Sequence, residues 1–313
     1  MNRVDFGHLI AALRREHEDE NLKPWTQSIL AEEANSVAEE ALFNEDTISN
    51  IERGVRSVDY RGMQALATAL QLTRGERREF FLAASGIDSR KITRQDSNPQ
   101  EVLSELLDNL KQIQLPATLL DPYCDILAVN LALIELLDLT SCGWDMGSQI
   151  SKPFPHNELR FLFSEDIAAY MQGLMGEGWH NYAYSAIKIF RARSLRYRAT
   201  KYFQELLHEL NKLRLFKRYW REVYYHEKDI HFDTADIVMN SPKWGTISSF
   251  PTIRTAITSA GELYLGIVVP MDRGTADAFA RIADKIGTPV AFHLTSWPNK
   301  HALQSLDNIR IIV

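Results

Sequence analysis

The sequence predicts a multidomain protein: an all-α domain of five short helices, followed by an α+β domain with an antiparallel sheet. Three observations carry this. Five segments before residue 86 repeat apolar residues at helical spacing. The stretch from Ile87 to Gln100 is polar and aperiodic and holds Pro99, the marks of a linker. From Leu115 to Leu137 the chain reads strand, Asp-Pro turn, strand, Asn-capped helix, and β-rich runs return between Trp244 and Val269. The boundaries expected are 1–86, a linker over 87–100, and 101–313, the last including an α/β extension from about 273.

In the first domain, Phe6, Leu9, Ile10 and Leu13 mark one helix, and Thr26 can cap a second in Trp25–Ala34. The third is the most informative. Asn44 can cap it, Ile48 and Ile51 fall on one face, and Gly54 stops it. Thr47, Ser49, Asn50 and Arg53 are then expected to point outward, short hydrogen-bonding side chains with a terminal guanidinium. On a helix of about three turns, that is the size and chemistry of an element lying in a DNA major groove. Alone, the segment reads equally as an ordinary amphipathic helix with a glycine stop. Met63, Leu66, Ala67 and Leu70 mark a fourth helix, and Glu76–Ala84 a fifth.

Five short helices with a Gly-stopped third one resemble the Xre/Cro-type helix-turn-helix domain, over roughly residues 5–86. The strongest string is Thr47-Ile48-Ser49 through Ile51-Glu52-Arg53-Gly54. The resemblance implies binding of double-stranded DNA, with Thr26 and Gln27 near a phosphate and residues 44–53 as the recognition helix. One stretch departs from it. Where that family has a tight turn, residues 35–43 add several positions, so either the second helix is longer or the turn is a loop.

Charge argues partly the other way. Residues 1–86 carry ten Lys/Arg and fifteen Asp/Glu, although phosphate contacts are the usual source of affinity. The acids cluster at Glu16–Glu20 and along residues 32–40, while Arg53, Arg56 and Arg61 crowd the end of the third helix. Glu45 and Asp46 at its start can accept from cytosine N4 or simply favour the helix dipole. Modest, strongly salt-dependent binding as a homodimer is the expectation.

Beyond the linker, Val102, Leu103, Leu106, Leu107 and Leu110 form one helical stripe that reads as plain core. Ala117–Leu120 and Asp125–Val129 form a hairpin, and Asn130 caps a helix carrying Leu133, Ile134 and Leu137. That is how a PAS-like sensor domain begins, although the hairpin alone is common. Further motifs follow in order: Asn157-x-Leu-Arg160-x-x-Phe163, Trp179 with Phe190-Arg191, and Phe216-x-x-x-Trp220. With the first domain, this succession resembles the MmyB-like transcription regulators over roughly residues 5–272. The resemblance implies a five-helix helix-turn-helix domain joined to a PAS-like ligand-binding domain. The segment 180–221 is unusually basic for it, and about forty residues after Asp272 have no counterpart.

Lys188 to Arg221 holds eleven Lys/Arg against Glu205 and Glu209, interleaved with aromatics. Such a segment can grip single-stranded nucleic acid, or form helices with aromatics inward and solvated cations outward. A third option is an arginine at the mouth of an aromatic-lined pocket, pairing with the carboxylate of an apolar ligand. The lining expected is Leu119, Ile126, Ala128, Asn130, Phe163, Trp179, Tyr182, Phe190, Phe216 and Trp220, with Arg160 or Arg191 at the head group. A fatty acid or similar ligand follows, since each buried methylene contributes about 0.8 kcal/mol and an eight- to twelve-carbon chain roughly 6–10 kcal/mol before ordering costs. The alternative is a filled core with no cavity.

The sequence also excludes. A formal net charge of −6 gives no whole-chain signal for nucleic acid or membrane. Cys124 and Cys142 are too few for a disulfide framework and lack metal spacing, which fits a cytoplasmic protein. The apolar run Ile126–Leu139 is interrupted and shorter than the ~20 residues of a membrane span, so no membrane partner is expected. No nucleophile elbow, phosphate loop or redox-cofactor motif is present, so no catalytic residue and no cofactor is expected. The competing class is a metal-dependent or nucleotide-cleaving enzyme with a DNA-targeting domain. It rests on His226, Asp229, His231, Asp233 and Asp236, whose spacing puts no two histidines on one helical face; a polar loop explains them as well.

Overall fold

The computed structural model describes residues 1–86, 98–138, 153–223, 236–294, 297–298 and 310–312. The chain forms two compact units that do not divide at one point. The first takes Met1–Ile92, Arg191–His208 and Arg221–His231; the second takes Thr93–Phe190, Glu209–Trp220 and Phe232–Val313. Two segments beyond residue 101 are thus grouped with the N-terminal helices.

In the first unit, α1 (Arg3–Arg15), α2 (Gln27–Ala38), α3 (Glu45–Glu52), α4 (Tyr60–Ala69) and α5 (Arg74–Ala84) follow one another. Each opens on a residue whose side chain accepts a first-turn backbone N–H: Asn2, Thr26, Asn44, Asp59 and Thr73. Leu9, Ile10, Leu30, Ile48, Leu66, Leu70 and Phe80 bury their side chains in one core, and Leu195, more than a hundred residues further along, completes it. Gly7 lets α1 meet α3 backbone to backbone, since a Cβ there would lie 2.4 Å from the carbonyl oxygens of both Ile51 and Glu52.

The extra residues before α3 lengthen the helix and make a loop as well. Helix α2 runs on to Ala38 and stops at Glu39, which takes a left-handed φ of 53°. Asn35 then pins the return: its amide donates to the Phe43 carbonyl at 2.7 Å and accepts from the Phe43 N–H at 2.8 Å. The loop is thus held by two backbone-directed bonds immediately before the Asn44 cap.

The second unit is built on a seven-stranded sheet, antiparallel at every pairing, in the order β3-β4-β5-β1-β2-β6-β7. The strands are β1 (Ala117–Leu120), β2 (Ile126–Asn130), β3 (Ile237–Ser241), β4 (Gly245–Thr258), β5 (Gly261–Pro270), β6 (Ala291–His293) and β7 (Arg310–Ile312). Helix α6 (Pro99–Gln112) lays Leu103, Leu106 and Leu110 against Ala117, Leu119, Leu127, Leu263 and Leu265 of the central strands. The helices α7 (Leu131–Leu137), α8 (Glu158–Phe163), α9 (Glu165–Met175), α10 (Gly178–Ser194), α11 (Lys201–Leu210) and α12 (Arg214–Glu222) lie between β2 and β3 in the chain, and α13 (Arg273–Ile286) follows β5.

Two strand expectations are corrected. The sequence reads as two β-rich runs, Trp244 to Phe250 and Ile253 to Ser259, broken at Pro251; they are one 14-residue strand. A proline is tolerated there because β3 pairs with β4 only as far as Ser249, so Pro251 presents its missing N–H where no third strand competes. Strand β3 itself was not expected. The α/β extension expected after Asp272 adds to the sheet: β6 pairs with β2, and β7 with β6.

Candidate DNA interface and ligand site

Helix α3 is set from its N-terminus by Asn44, which accepts the Thr47 N–H at 2.8 Å, and stopped by Gly54 at a φ of +72°. Ile48 and Ile51 anchor its inner face. Ser49 and Asn50 are half-buried, while Glu45, Asp46, Arg53 and Arg56 are exposed. Arg53 donates to the Asn50 side-chain oxygen at 2.7 Å, so the two form one polar unit on the outer face.

Thr47 corrects the expectation of an outward side chain. It is buried, 9% exposed, and its hydroxyl receives Arg56 at 3.4 Å. Gln27 is likewise engaged, since its amide donates to Glu52 at 2.6 Å. Glu52 is itself buried and takes both arms of Arg14, at 2.7 and 3.1 Å. This ties α1, the start of α2 and the end of α3 through charge-assisted bonds, which fix geometry as well as add energy. Thr26 is exposed and its hydroxyl caps α2 by accepting the Ile29 N–H at 3.2 Å.

The acidic balance of the N-terminal helices changes once the unit is complete. With Arg191–His208 and Arg221–His231 included, the unit holds nineteen Lys/Arg against twenty Asp/Glu. The basic stretch noticed in the sequence therefore nearly neutralises the acids of residues 1–92. Two of its arginines go inside. Glu76, fully buried, accepts from Thr73 at its N-cap through one oxygen and from Arg191 and Arg198 through the other, both at 2.9 Å. Burial alone would raise the Glu76 carboxyl; the two guanidinium groups overcome it and hold it below the usual carboxylate range. Arg198 also bonds Glu16, where burial wins and pushes that carboxyl up.

In the second unit the aromatic residues expected around a ligand converge. Phe163 on α8 meets the rings of Trp179 at 6.3 Å, Phe216 at 5.7 Å and Tyr219 at 5.8 Å. Trp179 meets Tyr182 at 6.2 Å, and Trp220 lies between Phe190 at 5.9 Å and Phe216 at 5.5 Å. Sequence reasoning passed over Tyr219, although it continues the stripe of Phe216; its hydroxyl lies 3.2 Å from Nδ1 of His180.

Three polar groups distinguish this cluster from ordinary core. The Trp179 indole N–H is buried with no acceptor. Tyr182, on the next turn of α10, has no hydrogen-bond partner among the described residues, and burial, with a smaller contribution from Glu158, raises its hydroxyl pKa. Arg160 stands one turn before Phe163. It is half-buried and burial lowers its pKa against a small opposing pull from Glu209; no hydrogen bond or ion pair engages its guanidinium among the described residues. All three are donors, so what they lack is an acceptor.

Other expected lining residues lie elsewhere. Leu119 and Ala128 belong to the cluster under α6, and Ile126 is half-buried at the start of β2. Asn130 uses its whole side chain locally. Its oxygen accepts from Ala117 and Leu133, and its nitrogen donates to Ile113 and Leu115, which leaves nothing for a ligand. Arg191 is withdrawn from head-group duty by its bonds to Glu76 and to the Val223 carbonyl at 2.6 Å. Near Asn130 lies a small cavity of about 20 Å³ between Ile113, Ala132, Ala283 and Val290, room for one water. Of the proposed metal loop, all but Asp236 lies outside the described residues.

Residues 100–282 match the family described as the MmyB-like transcription regulator ligand binding domain. The chain belongs to that family. The match covers more than half of the sequence and supports the reading of a ligand-responsive transcription regulator rather than an enzyme. It ends within α13, so this MmyB-like chain adds β6 and β7 to its sheet beyond the matched region. No curated protein matches the chain. Among the described residues no helix is long and apolar enough to cross a membrane.

Proposed function

We propose that this MmyB-like protein binds operator DNA as a homodimer through α3 and that an apolar carboxylic acid, of the fatty-acid type, regulates it from the aromatic cluster of the second unit. The observation that carries the ligand is the Trp179 N–H, buried without an acceptor between Phe163 and Tyr182. Leaving such a donor unpaired costs about 1–3 kcal/mol, and a carboxylate supplies the acceptor that it, Tyr182 and Arg160 lack. The rings supply the apolar wall. The DNA reading is supported by the capped, glycine-stopped α3 with Ser49, Asn50, Arg53 and Arg56 accessible, and by the near-neutral charge of the completed unit.

Mobility shift against the promoter of its own gene at low salt tests the first half. Asn50→Ala should relax base preference, whereas Arg56→Ala should weaken binding to all sequences and flatten its salt dependence. No retarded species, with or without dodecanoate, overturns it. For the second half, titration calorimetry with dodecanoate should show binding that Arg160→Met and Trp179→Phe each weaken by about tenfold, the loss of one charge-assisted or well-placed bond. Native mass spectrometry giving only the bare chain mass, together with no heat from dodecanoate, overturns that half.

A further inference from the structure

The outward side of α3 carries its polar groups in a fixed order. With Ile48 and Ile51 buried, Asp46, Ser49, Asn50 and Arg53 recur at three- and four-residue spacing along the opposite face. Glu45 and Asp46 open the helix, both exposed, and neither carboxylate has a hydrogen bond or ion pair among the described residues. At the other end Arg53 turns back on the helix. One of its terminal nitrogens donates to Oδ1 of Asn50 at 2.7 Å, and its Nε donates to the Ser49 carbonyl at 3.4 Å. The backbone beneath the pair is pinned, because the Asn50 carbonyl accepts the N–H groups of Val55 and Arg56 at 2.9 and 3.1 Å.

A guanidinium has donors and no acceptor, so the oxygen of Asn50, not its nitrogen, must face Arg53. That fixes what the pair offers to a base. The Asn50 oxygen is used, and what remains is the Asn50 amide N–H groups and the free N–H groups of Arg53, all of them donors. An asparagine reads adenine by accepting from N6 while donating to N7, and Asn50 has already given its oxygen to Arg53. Guanine presents only acceptors at the same edge, O6 and N7. We propose that Asn50 and Arg53 together read a guanine of the operator, and that adenine is rejected there because its N6 amine meets a donor. The inference rests on the DNA reading above and adds the base. The acids orient it. Asp46 precedes Asn50 by four residues, about 6 Å along the axis or roughly two base-pair steps. A carboxylate repels a guanine edge and accepts from cytosine N4, so the guanine lies under the C-terminal end of α3. A phosphate, by contrast, would take Arg53 alone and leave Asn50 its oxygen for adenine.

These arrangements are separated by selecting bound sequences from a randomised duplex library with the full chain at low salt. The wild type should enrich a guanine, and replacing it by 7-deazaguanine, which removes only N7, should weaken binding about tenfold, within the range for a bidentate base contact. Inosine, which lacks only the minor-groove amine, should bind as guanine does. Arg53→Met, with its fold verified by an unchanged thermal melt, frees the Asn50 oxygen and should move the enriched base at that position from guanine to adenine. Guanine retained by Arg53→Met, with affinity lowered alike for every sequence, assigns Arg53 to a phosphate and overturns the proposal. A loss with inosine, or full affinity for 7-deazaguanine, overturns it without any variant. Adenine enriched by the wild type and lost in Asn50→Ala also sinks the guanine assignment while sparing the DNA reading. No duplex retained at low salt sinks both.

Discussion

At the scale of single residues, Asn130 engages its side chain four ways, accepting from the Ala117 and Leu133 N–H groups and donating to the Ile113 and Leu115 carbonyls. Asn130 was legible as a helix cap, and it is one; that its amide also closes on Ile113 and Leu115 depends on a return of the chain that no local pattern encodes. Gln27 and Thr47 fit the outward set of a DNA-reading surface, yet Glu52 and Arg56 engage them. His17 illustrates a consequence. Its ring stacks on Trp25 at 4.5 Å, with Nε2 3.1 Å from the Leu70 carbonyl; burial, reinforced by Arg191 and to a lesser degree Arg198, lowers its pKa to about 4, while the Leu70 carbonyl and Glu76 oppose. Between about pH 6.5 and 4 the unfolded chain takes up a proton that the folded chain refuses, so stability present above pH 6.5 is lost as pH falls through that window. The loss is on the order of 3 kcal/mol for a shift of this size. Glu16 has the opposite sign, because its raised carboxyl contributes in acid and fades as pH rises. Urea unfolding at pH 7 and pH 4.5 should show the drop in the wild type and a flattened response in His17→Gln, which keeps a donor for Leu70. An equal drop in both would assign it to other groups.

At the scale of elements, periodicity and caps were sufficient for the five helices of the first unit, whose signals are local: Asn44, Gly54, and the Thr73-x-x-Glu76 box each act within one turn. They failed at β3 and at Pro251, because strand pairing depends on a partner distant in sequence, and a proline that ends a strand in one register is harmless where no third strand pairs. Close packing between helices is equally silent. Gly7 sits in an ordinary helical pattern, yet its missing side chain sets the distance between α1 and α3. Gly7→Ala places a methyl 2.4 Å from two backbone oxygens, and backbone cannot step aside as a side chain can. We expect a loss of about 1–3 kcal/mol by thermal unfolding, typical of overpacking, and weaker DNA binding because α3 must move. Gly173→Ala in α9 is the control. Nothing lies within 4 Å of its added methyl, so that change should be neutral or stabilising by up to about 1 kcal/mol. Similar losses at both positions would argue against the close-approach account.

At the scale of the whole molecule, the order of the aromatic motifs made the second half recognisable, and the rings do meet. What stayed hidden was the membership of Arg191–His208. Composition marked it as a basic, aromatic segment of one domain, and only long-range pairing moves it into the other unit, where Leu195 enters the core and Arg191 and Arg198 reach Glu76. We therefore expect residues 1–92 to fold poorly by themselves, in a measurable way. Residues 1–92 produced by themselves lose the Leu195 side chain, and removing a buried leucine commonly costs about 2–5 kcal/mol. They also lose Arg191 and Arg198, the two guanidinium partners of the buried Glu76 in the first turn of α5. Against a domain stability of about 5–15 kcal/mol, these losses leave little. The fragment should keep helical far-ultraviolet dichroism but melt broadly and early, with weak near-ultraviolet signal from Trp25. Adding a synthetic peptide of residues 190–208 should sharpen the transition and raise its midpoint in proportion to the logarithm of peptide concentration, as any ligand of the folded state does. A peptide carrying Leu195→Ala and Arg198→Met should do neither. A fragment that melts as cooperatively without the peptide as with it would show that the borrowed segment rests on a unit already complete.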